Sequence, residues 1–139
     1  MERASQTLNL LATFTKKPIP TRVSFAQANG QTETLEGLVK YEAGDALMTG
    51  QAGEHWPISR ANFEATYEPC ESLQMGFEGM YVKKFMPVCA RQVEVATSIE
   101  LRERRGTLAA KVGDWVVTDP DGKQWVVADL IFQTTYVPV

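Results

Sequence analysis

Histidine and cysteine are scarce in this chain of 139 residues, which has one histidine and two cysteines. A metal site built from several histidines is therefore excluded, and Ser/His or Cys/His catalysis would depend on His55 alone. Cys70 and Cys89 form no Cys-x-x-Cys pair and have no histidine nearby, so neither a zinc knuckle nor a disulfide framework is indicated. We interpret both as free thiols and predict neither a metal nor a cofactor.

Long apolar runs and an excess of basic charge are also missing. No run approaches the roughly 18 to 20 apolar residues that cross a bilayer, and the first residues lack the order of a secretory signal. A net charge of −3 disfavours sequence-independent nucleic-acid binding, because that binding requires Lys and Arg to displace counterions from phosphates. With 44% hydrophobic residues, the composition predicts a cytoplasmic globular protein that has a buried core and no membrane contact.

An internal repeat is the strongest pattern in the sequence. A shift of 69 residues aligns 44–69 with 113–138 without a gap, and nine of these 26 positions are identical, where unrelated sequences give roughly one or two. The identical pairs are Gly44/Gly113, Asp45/Asp114, Thr49/Thr118, Gly53/Gly122, Trp56/Trp125, Phe63/Phe132, Thr66/Thr135, Tyr67/Tyr136 and Pro69/Pro138. We predict a first β-repeat unit at 12–69, a linker at 70–79 and a second unit at 80–139.

The sequence of each unit predicts a series of short strands and turns. Asp119-Pro-Asp-Gly and its counterpart Gly50-Gln-Ala-Gly predict hairpin turns, and Ser59 is placed to cap one helical turn. We predict that each unit closes with a strand, at 63–67 and at 132–136. The fold prediction is mainly β: two tandem copies of a small β-barrel or twisted-sheet unit, packed with pseudo-two-fold symmetry.

The motifs of the two units also carry a family resemblance. In the first unit they are Phe14, Lys16, Lys17, Pro18, Leu35, Glu36, Gly37, Gly44, Asp45, Gly53, Phe63, Glu64, Thr66, Tyr67, Glu68 and Pro69; in the second, Tyr81, Lys83, Lys84, Ala90, Gln92, Gly113, Asp114, Gly122, Phe132, Thr135, Tyr136 and Pro138. This pattern resembles a group of small bacterial and phage proteins, and the related group named for a Pro-Gly-Asp-Tyr motif. The motif Pro is replaced by Ala43 and Val112, and its Tyr by Ala46 and Trp115. The resemblance implies a phage, prophage or mobile-element context in a bacterial host cell, and no particular reaction.

Basic residues are the leading candidates for binding. Paired lysines open both units, and an arginine-rich segment precedes Gly106; these side chains suit an anionic small molecule or an acidic partner surface, and paired lysines also protect strand edges. Trp115 has no aromatic counterpart, so we predict a copy-specific contact for it. The predicted ligand- or partner-binding residues are Lys16, Lys17, Lys83, Lys84, Arg102, Arg104, Arg105 and Trp115.

The recurring aromatic residues Trp56, Trp125, Tyr67 and Tyr136 fit base stacking or a protein interface, but we interpret them as core, since recurrence in a duplicated fold usually marks packing.

Two functions are compatible with these residues. The first is a non-catalytic phage-type accessory protein that binds a partner protein or a phosphorylated small ligand, for instance to inhibit a host defence system. The alternative is a small enzyme that uses Asp45, Asp114 and His55 at the cleft between the units. The same residues also have purely structural interpretations. The two aspartates of the Gly-Asp pairs would stabilise turns, and His55 would occupy a solvent-exposed position on a strand.

Overall fold

Short strands dominate the computed structural model, which describes residues 12–139. The strands are β1 Ala12–Lys16, β2 Thr21–Phe25, β3 Gly30–Thr34, β4 Gly37–Tyr41, β5 Ala46–Thr49, β6 His55–Ile58, β7 Tyr67–Pro69, β8 Gly79–Lys83, β9 Val88–Gln92, β10 Thr97–Glu100, β11 Thr107–Ala110, β12 Trp115–Thr118, β13 Gln124–Val127 and β14 Tyr136–Pro138. The helices are α1 Arg60–Thr66 and α2 Asp129–Thr135, with a 3₁₀ turn at Arg102–Arg104. No helix in this part of the chain is long and apolar enough to span a membrane.

Two five-stranded antiparallel sheets form the body of the molecule. The first sheet has the order β13-β12-β9-β1-β14, and the second has the order β6-β5-β2-β8-β7. The prediction of a mainly β fold is confirmed, and of its two alternatives the twisted sheet is the one found, because neither sheet closes into a barrel within residues 12–139. The predicted hairpins at residues 50–53 and 119–122 are also confirmed, as β5–β6 and β12–β13.

Each sheet takes four strands from one side of residues 70–79 and one strand from the other side. Strand β1 lies between β9 and β14, and β8 lies between β2 and β7. The connection from β1 to β2 contains Pro18 and Pro20, which hold the preceding residues extended and so favour a crossing over a tight hairpin. The chain therefore leaves one sheet after β1 and enters the other at β2.

The hairpins β3–β4 and β10–β11 meet where two glycines approach the opposite backbone. The Lys40 N–H donates to the Arg105 carbonyl, and the Ala109 N–H donates to the Glu36 carbonyl, both at 2.8 Å. A Cβ on Gly37 would lie 2.6 Å from the Thr107 carbonyl oxygen, and one on Gly106 would meet the Leu38 carbonyl oxygen. The φ angles of these glycines, +152° and +147°, are also ones that side chains rarely adopt. Both positions therefore require glycine.

Three buried clusters hold these elements together. The second sheet packs around Phe63, Tyr67 and Tyr81, all at most 2% exposed. The cluster of the first sheet contains Phe132 and Tyr136. A third cluster joins the hairpins to the first sheet and consists of Val39, Val93, Leu108, Ala110, Val116 and Val126. Because Val39 comes from β4 and the other residues come from β11, β12, β13 and the turn after β9, this cluster ties the two halves of the chain together.

The predicted closing strands are wrong in most of their length. Residues 60–66 and 129–135 are helical, and only the three residues that follow each helix are extended. Ser59 caps α1 by accepting the Asn62 N–H at 3.4 Å, and Phe63 stacks on Tyr67 with ring centroids 5.2 Å apart. Residues four apart share a face in a helix as well as in a strand, so the Phe-to-Tyr spacing did not separate the two.

Replacing Gly37 with alanine tests the close approach of the hairpins. The new Cβ meets backbone, which cannot move aside, so we expect the free energy of unfolding to fall by about 3 kcal/mol. Gly113→Ala is the matched control: its φ is +98° but nothing lies within 4 Å of its Cβ, so it carries the backbone strain alone, about 1–2 kcal/mol. Urea unfolding measures both, and equal losses would contradict the crossing geometry.

Candidate functional site

A cavity of about 500 Å³ lies between the two sheets. Its walls include three pairs of matched residues: Trp56 and Trp125, and Tyr67 and Tyr136, which the 69-residue shift aligns, and Lys16 and Lys83, which align at a shift of 67 residues. We call this space the central cavity. Since each half of the chain supplies one residue of every pair, the cavity is built from both halves.

The exchange of β1 and β8 places the two lysines between the sheets. Lys16 is the last residue of β1 and pairs with Tyr136 in the first sheet, while its Nζ lies 4.8 Å from the ring centroid of Trp56 in the second sheet. Lys83 ends β8 and pairs with Tyr67 in the second sheet. Its Nζ lies 5.1 Å from the Tyr67 ring and 5.6 Å from the ring of Trp125 in the first sheet. Both ammonium groups therefore bridge the sheets over aromatic rings, a favourable cation–π arrangement.

Neither lysine has a carboxylate within 4 Å among the residues that the structure describes. Burial lowers the pKa of Lys16 to about 8, against the attraction of Glu54. Burial also lowers the pKa of Lys83 to about 8, and the neighbouring charge of Lys16 acts in the same direction. Two ammonium groups that share a partly dry space, with no carboxylate in direct contact, are electrostatically unfavourable, and an anion in the cavity would offset that cost.

The tyrosines remain neutral hydroxyl groups at physiological pH. Burial raises the pKa of Tyr136 to about 12, against the effect of the Trp125 indole N–H, which donates to its hydroxyl oxygen at 3.2 Å. Burial also raises the pKa of Tyr67. The central cavity thus combines two cationic amines with neutral phenols and indoles.

Asp45 is a buried anchor outside the central cavity. Its carboxylate accepts the Glu42 and Arg60 backbone N–H groups at 2.9 and 3.0 Å and forms an ion pair with Arg105 at 2.7 Å. Asp114 accepts the Lys111 N–H at 2.9 Å in the same way, which is the turn role open to both aspartates.

The 69-residue shift matches Glu36 with Arg105. The Arg105–Asp45 ion pair, which joins the two halves, therefore has two neighbouring carboxylates, Glu36 and Asp114, as its counterpart. Burial raises the pKa of Glu36 to about 7, and the negative charge of Asp114 adds to the increase. Asp45 therefore has a cationic partner, whereas Asp114 has an acidic neighbour.

The structure brings part of the predicted binding set to the central cavity. Lys16, Lys83, Arg102, Arg105 and the exposed His55 line it. Lys17, Lys84, Arg104, Trp115, Asp45 and Asp114 do not.

Two of the outlying residues have clear local roles. The backbone N–H groups of Lys17 and Lys84 donate to Thr135 and Thr66, which fixes each strand against the end of a helix. Trp115 stacks on Phe132 at 4.0 Å and donates its indole N–H to Asp129. Trp115 is therefore engaged in packing of the second half.

Sequence reasoning missed the four aromatic wall residues as site residues, because they were interpreted as core. The tyrosines are buried, but Trp56 and Trp125 keep part of their surface exposed in the cavity. The sequence signal that could have identified them is that these aromatic residues and a lysine, Lys16 or Lys83, recur together in both halves. Within residues 12–139, no group of three or more His, Cys, Asp or Glu side chains is arranged to hold a metal ion.

The Glu36–Asp114 neighbourhood gives a pH-dependent stability. The folded protein holds the Glu36 proton up to about pH 7, whereas an unfolded chain releases it near pH 4.5. The free energy of unfolding therefore falls as pH rises between these values. We expect Glu36→Gln to stabilise the protein at pH 8 by about 1 kcal/mol, a value reduced by solvent screening, and to have little effect at pH 4.

Thermal unfolding of this variant from pH 4 to pH 8 measures the effect, with Glu33→Gln on an exposed position of β3 as the control. A Glu36→Gln effect that does not change with pH would contradict the raised pKa.

Comparison with known proteins places the chain in a family. No curated protein and no solved structure shows significant similarity to it. The family described as PGDYG protein matches residues 37–137, which extend from β4 in the first half to β14 in the second. The match includes both Gly-Asp turns, both tryptophans of the central cavity and Lys83. Since it covers more than half of the sequence, this chain belongs to the PGDYG protein family.

Proposed function

We propose that this protein is a non-catalytic binding protein whose central cavity takes up a small phosphorylated ligand with a planar or apolar part. The observation that carries the proposal is the pair Lys16 and Lys83, two half-buried amines in one aromatic cavity with no carboxylate within 4 Å among residues 12–139. A phosphate would supply the missing negative charge, and the indole rings would contact the rest of the ligand.

The size and composition of the cavity support a small molecule. Its volume of about 500 Å³ falls within the range of about 300–1,000 Å³ that is typical of small-molecule sites. Aromatic and aliphatic side chains such as Leu108 and Val126 form much of the wall, and a few polar groups converge on it. A protein partner would instead need an extended surface, so the concave shape and the volume of the cavity favour the small ligand of the two alternatives.

Duplication of one unit is part of this proposal. The two sheets have the same strand order once the strands are numbered from the start of each half. Backbone bonds at matched positions also recur, such as Ala26 to Asp45 and Val93 to Asp114. Two copies related by a near-two-fold axis, with their first strands exchanged, would account for a cavity that has one lysine, one tryptophan and one tyrosine from each copy.

The proposed biological setting is a phage or prophage protein in the cytoplasm of a bacterial host. In that setting, the version that suits a cationic and aromatic cavity is capture of a nucleotide signal used by a host defence system. A catalytic role has less support, because Asp45 is already engaged by two backbone N–H groups and by Arg105, and neither Asp45 nor Asp114 lines the cavity.

The double variant Lys16→Met, Lys83→Met tests the proposal. Removal of two desolvated ammonium groups should raise the melting temperature of the unliganded protein by a few degrees, because their charge is unfavourable below about pH 8. The same change should abolish stabilisation by an added ligand, which for the unmodified protein is about 10 °C at 100 times Kd.

The measurement is thermal unfolding with inorganic phosphate, pyrophosphate, AMP and a cyclic dinucleotide as probes. Lys17→Met, Lys84→Met is the matched control, since these neighbouring lysines lie outside the cavity. Stabilisation of the unmodified protein by none of the probes, or equal behaviour of the two double variants, would refute the proposed site.

A further inference from the structure

The two ends of the central cavity differ in charge, although the residues at their centre match. Beside Lys16 lies Glu54, and beside Lys83 lies Lys123, which the 69-residue shift aligns with Glu54. Asp119, also near Lys83, is aligned with Gly50. Glu54, Lys123 and Asp119 all line the cavity. The repeat has therefore kept its central lysines while the charges around them have diverged.

The Lys83 end carries an excess of positive charge. Asp119 is committed to its own turn, since its carboxylate accepts the backbone N–H groups of Asp121 and Lys123 at 2.9 Å. Lys123 approaches Asp119 and the exposed Asp121 at only 3.8 and 3.5 Å, and the guanidinium of Arg102 binds the Asp121 carbonyl at 2.7 Å. Among these groups, three cations face two carboxylates, whereas Lys16 at the other end has Glu54 beside it.

The Lys16 end is close to electrically neutral. The Glu54 carboxylate folds against Gly50 and accepts the Ala52 N–H at 3.0 Å, so it is held in place. Its charge is near enough to attract the Lys16 ammonium group without touching it. Trp56 lies directly beside this pair, with its ring under the Lys16 amine. This end offers an aromatic wall, a carboxylate acceptor and an amine whose charge Glu54 partly offsets. It therefore suits a planar group with N–H donors better than a phosphate.

We propose that the central cavity binds a nucleotide-like phosphate monoester in one orientation, with the phosphate at the Lys83–Lys123 end and the planar ring beside Trp56 and Glu54. This inference rests on the proposed function and adds the ligand class and its direction. The reverse orientation is disfavoured because it brings the phosphate against the Glu54 carboxylate, where like charges repel in a partly dry space. The matched lysines therefore have different tasks.

Single lysine variants test the orientation, with AMP and adenosine as probes in isothermal titration calorimetry at pH 7. The ratio of the AMP affinity to the adenosine affinity reports what the phosphate contributes. We expect Lys83→Met to reduce this ratio by about 10-fold to 100-fold, since a charge-assisted hydrogen bond to the phosphate is lost. Lys16→Met, the matched variant at the other end, should change the ratio by about 3-fold or less.

Exchange of the flanking charges gives a second measurement on the same probes. Lys123→Glu should reduce the ratio by about 10-fold, whereas Lys83→Arg should largely preserve it. Glu54→Lys, which makes the Lys16 end resemble the other, should increase the affinity for pyrophosphate, which can then reach a cation at each end. The melting temperature of each variant confirms that it is folded.

The outcomes separate this inference from the proposed function. Equal loss of the ratio in Lys16→Met and Lys83→Met would overturn the single orientation and leave a two-lysine anion site standing. A larger loss in Lys16→Met would reverse the direction of binding and also overturn the inference. Absence of binding by AMP, pyrophosphate and phosphate to the unmodified protein would remove the proposed function together with it.

Discussion

The exchange of first strands between the two sheets is the constraint on which the rest of the structure depends. Strand β1 completes the sheet of the second half, and β8 completes the sheet of the first half. Each strand ends in a lysine at the point where the chain crosses to the other sheet. The crossing therefore carries Lys16 and Lys83 into the space between the sheets, each beside a tyrosine in its own sheet and over a tryptophan in the opposite one.

The placement of these amines has an energetic consequence. Strand pairing and aromatic contacts hold the two ammonium groups in place, although burial and mutual repulsion disfavour their charges. Such an arrangement costs stability in the unliganded protein and is retained most readily where a ligand offsets it. The charged groups near the two lysines also differ: the 69-residue shift aligns Glu54 with Lys123 and Glu36 with Arg105, so the surroundings of the two lysines are not equivalent.

The sequence predicted the local elements better than their assembly. Asp119-Pro-Asp-Gly specifies its own hairpin, and Ser59 its own cap, because their hydrogen bonds involve near neighbours. The exchange of β1 and β8 depends instead on partners that are distant in the sequence, such as Phe14 against Val88 and Thr21 against Tyr81. Pro18 and Pro20 disfavour a tight hairpin after β1, but nothing in the local pattern identifies the strand that β1 pairs with.

The same reason limits prediction of the site. The Lys-Lys pairs indicated the region of the cavity. Strand alternation implies that the two lysines of a pair point to opposite faces of the sheet, but it does not say that Lys16 and Lys83 are the ones that point into the cavity.

Titration of the lysine side chains by NMR is the most direct measurement of the central claim, which is that two amines share the cavity and that neither has a carboxylate within 4 Å among residues 12–139. In the unliganded protein, we expect two lysine signals with titration midpoints near pH 8. The signal that is lost in Lys16→Met or in Lys83→Met assigns each midpoint to its residue. Saturating AMP should move both midpoints upward, and the Lys83 midpoint more. Midpoints near pH 10.5 in the unliganded protein, unchanged by AMP, would contradict the account.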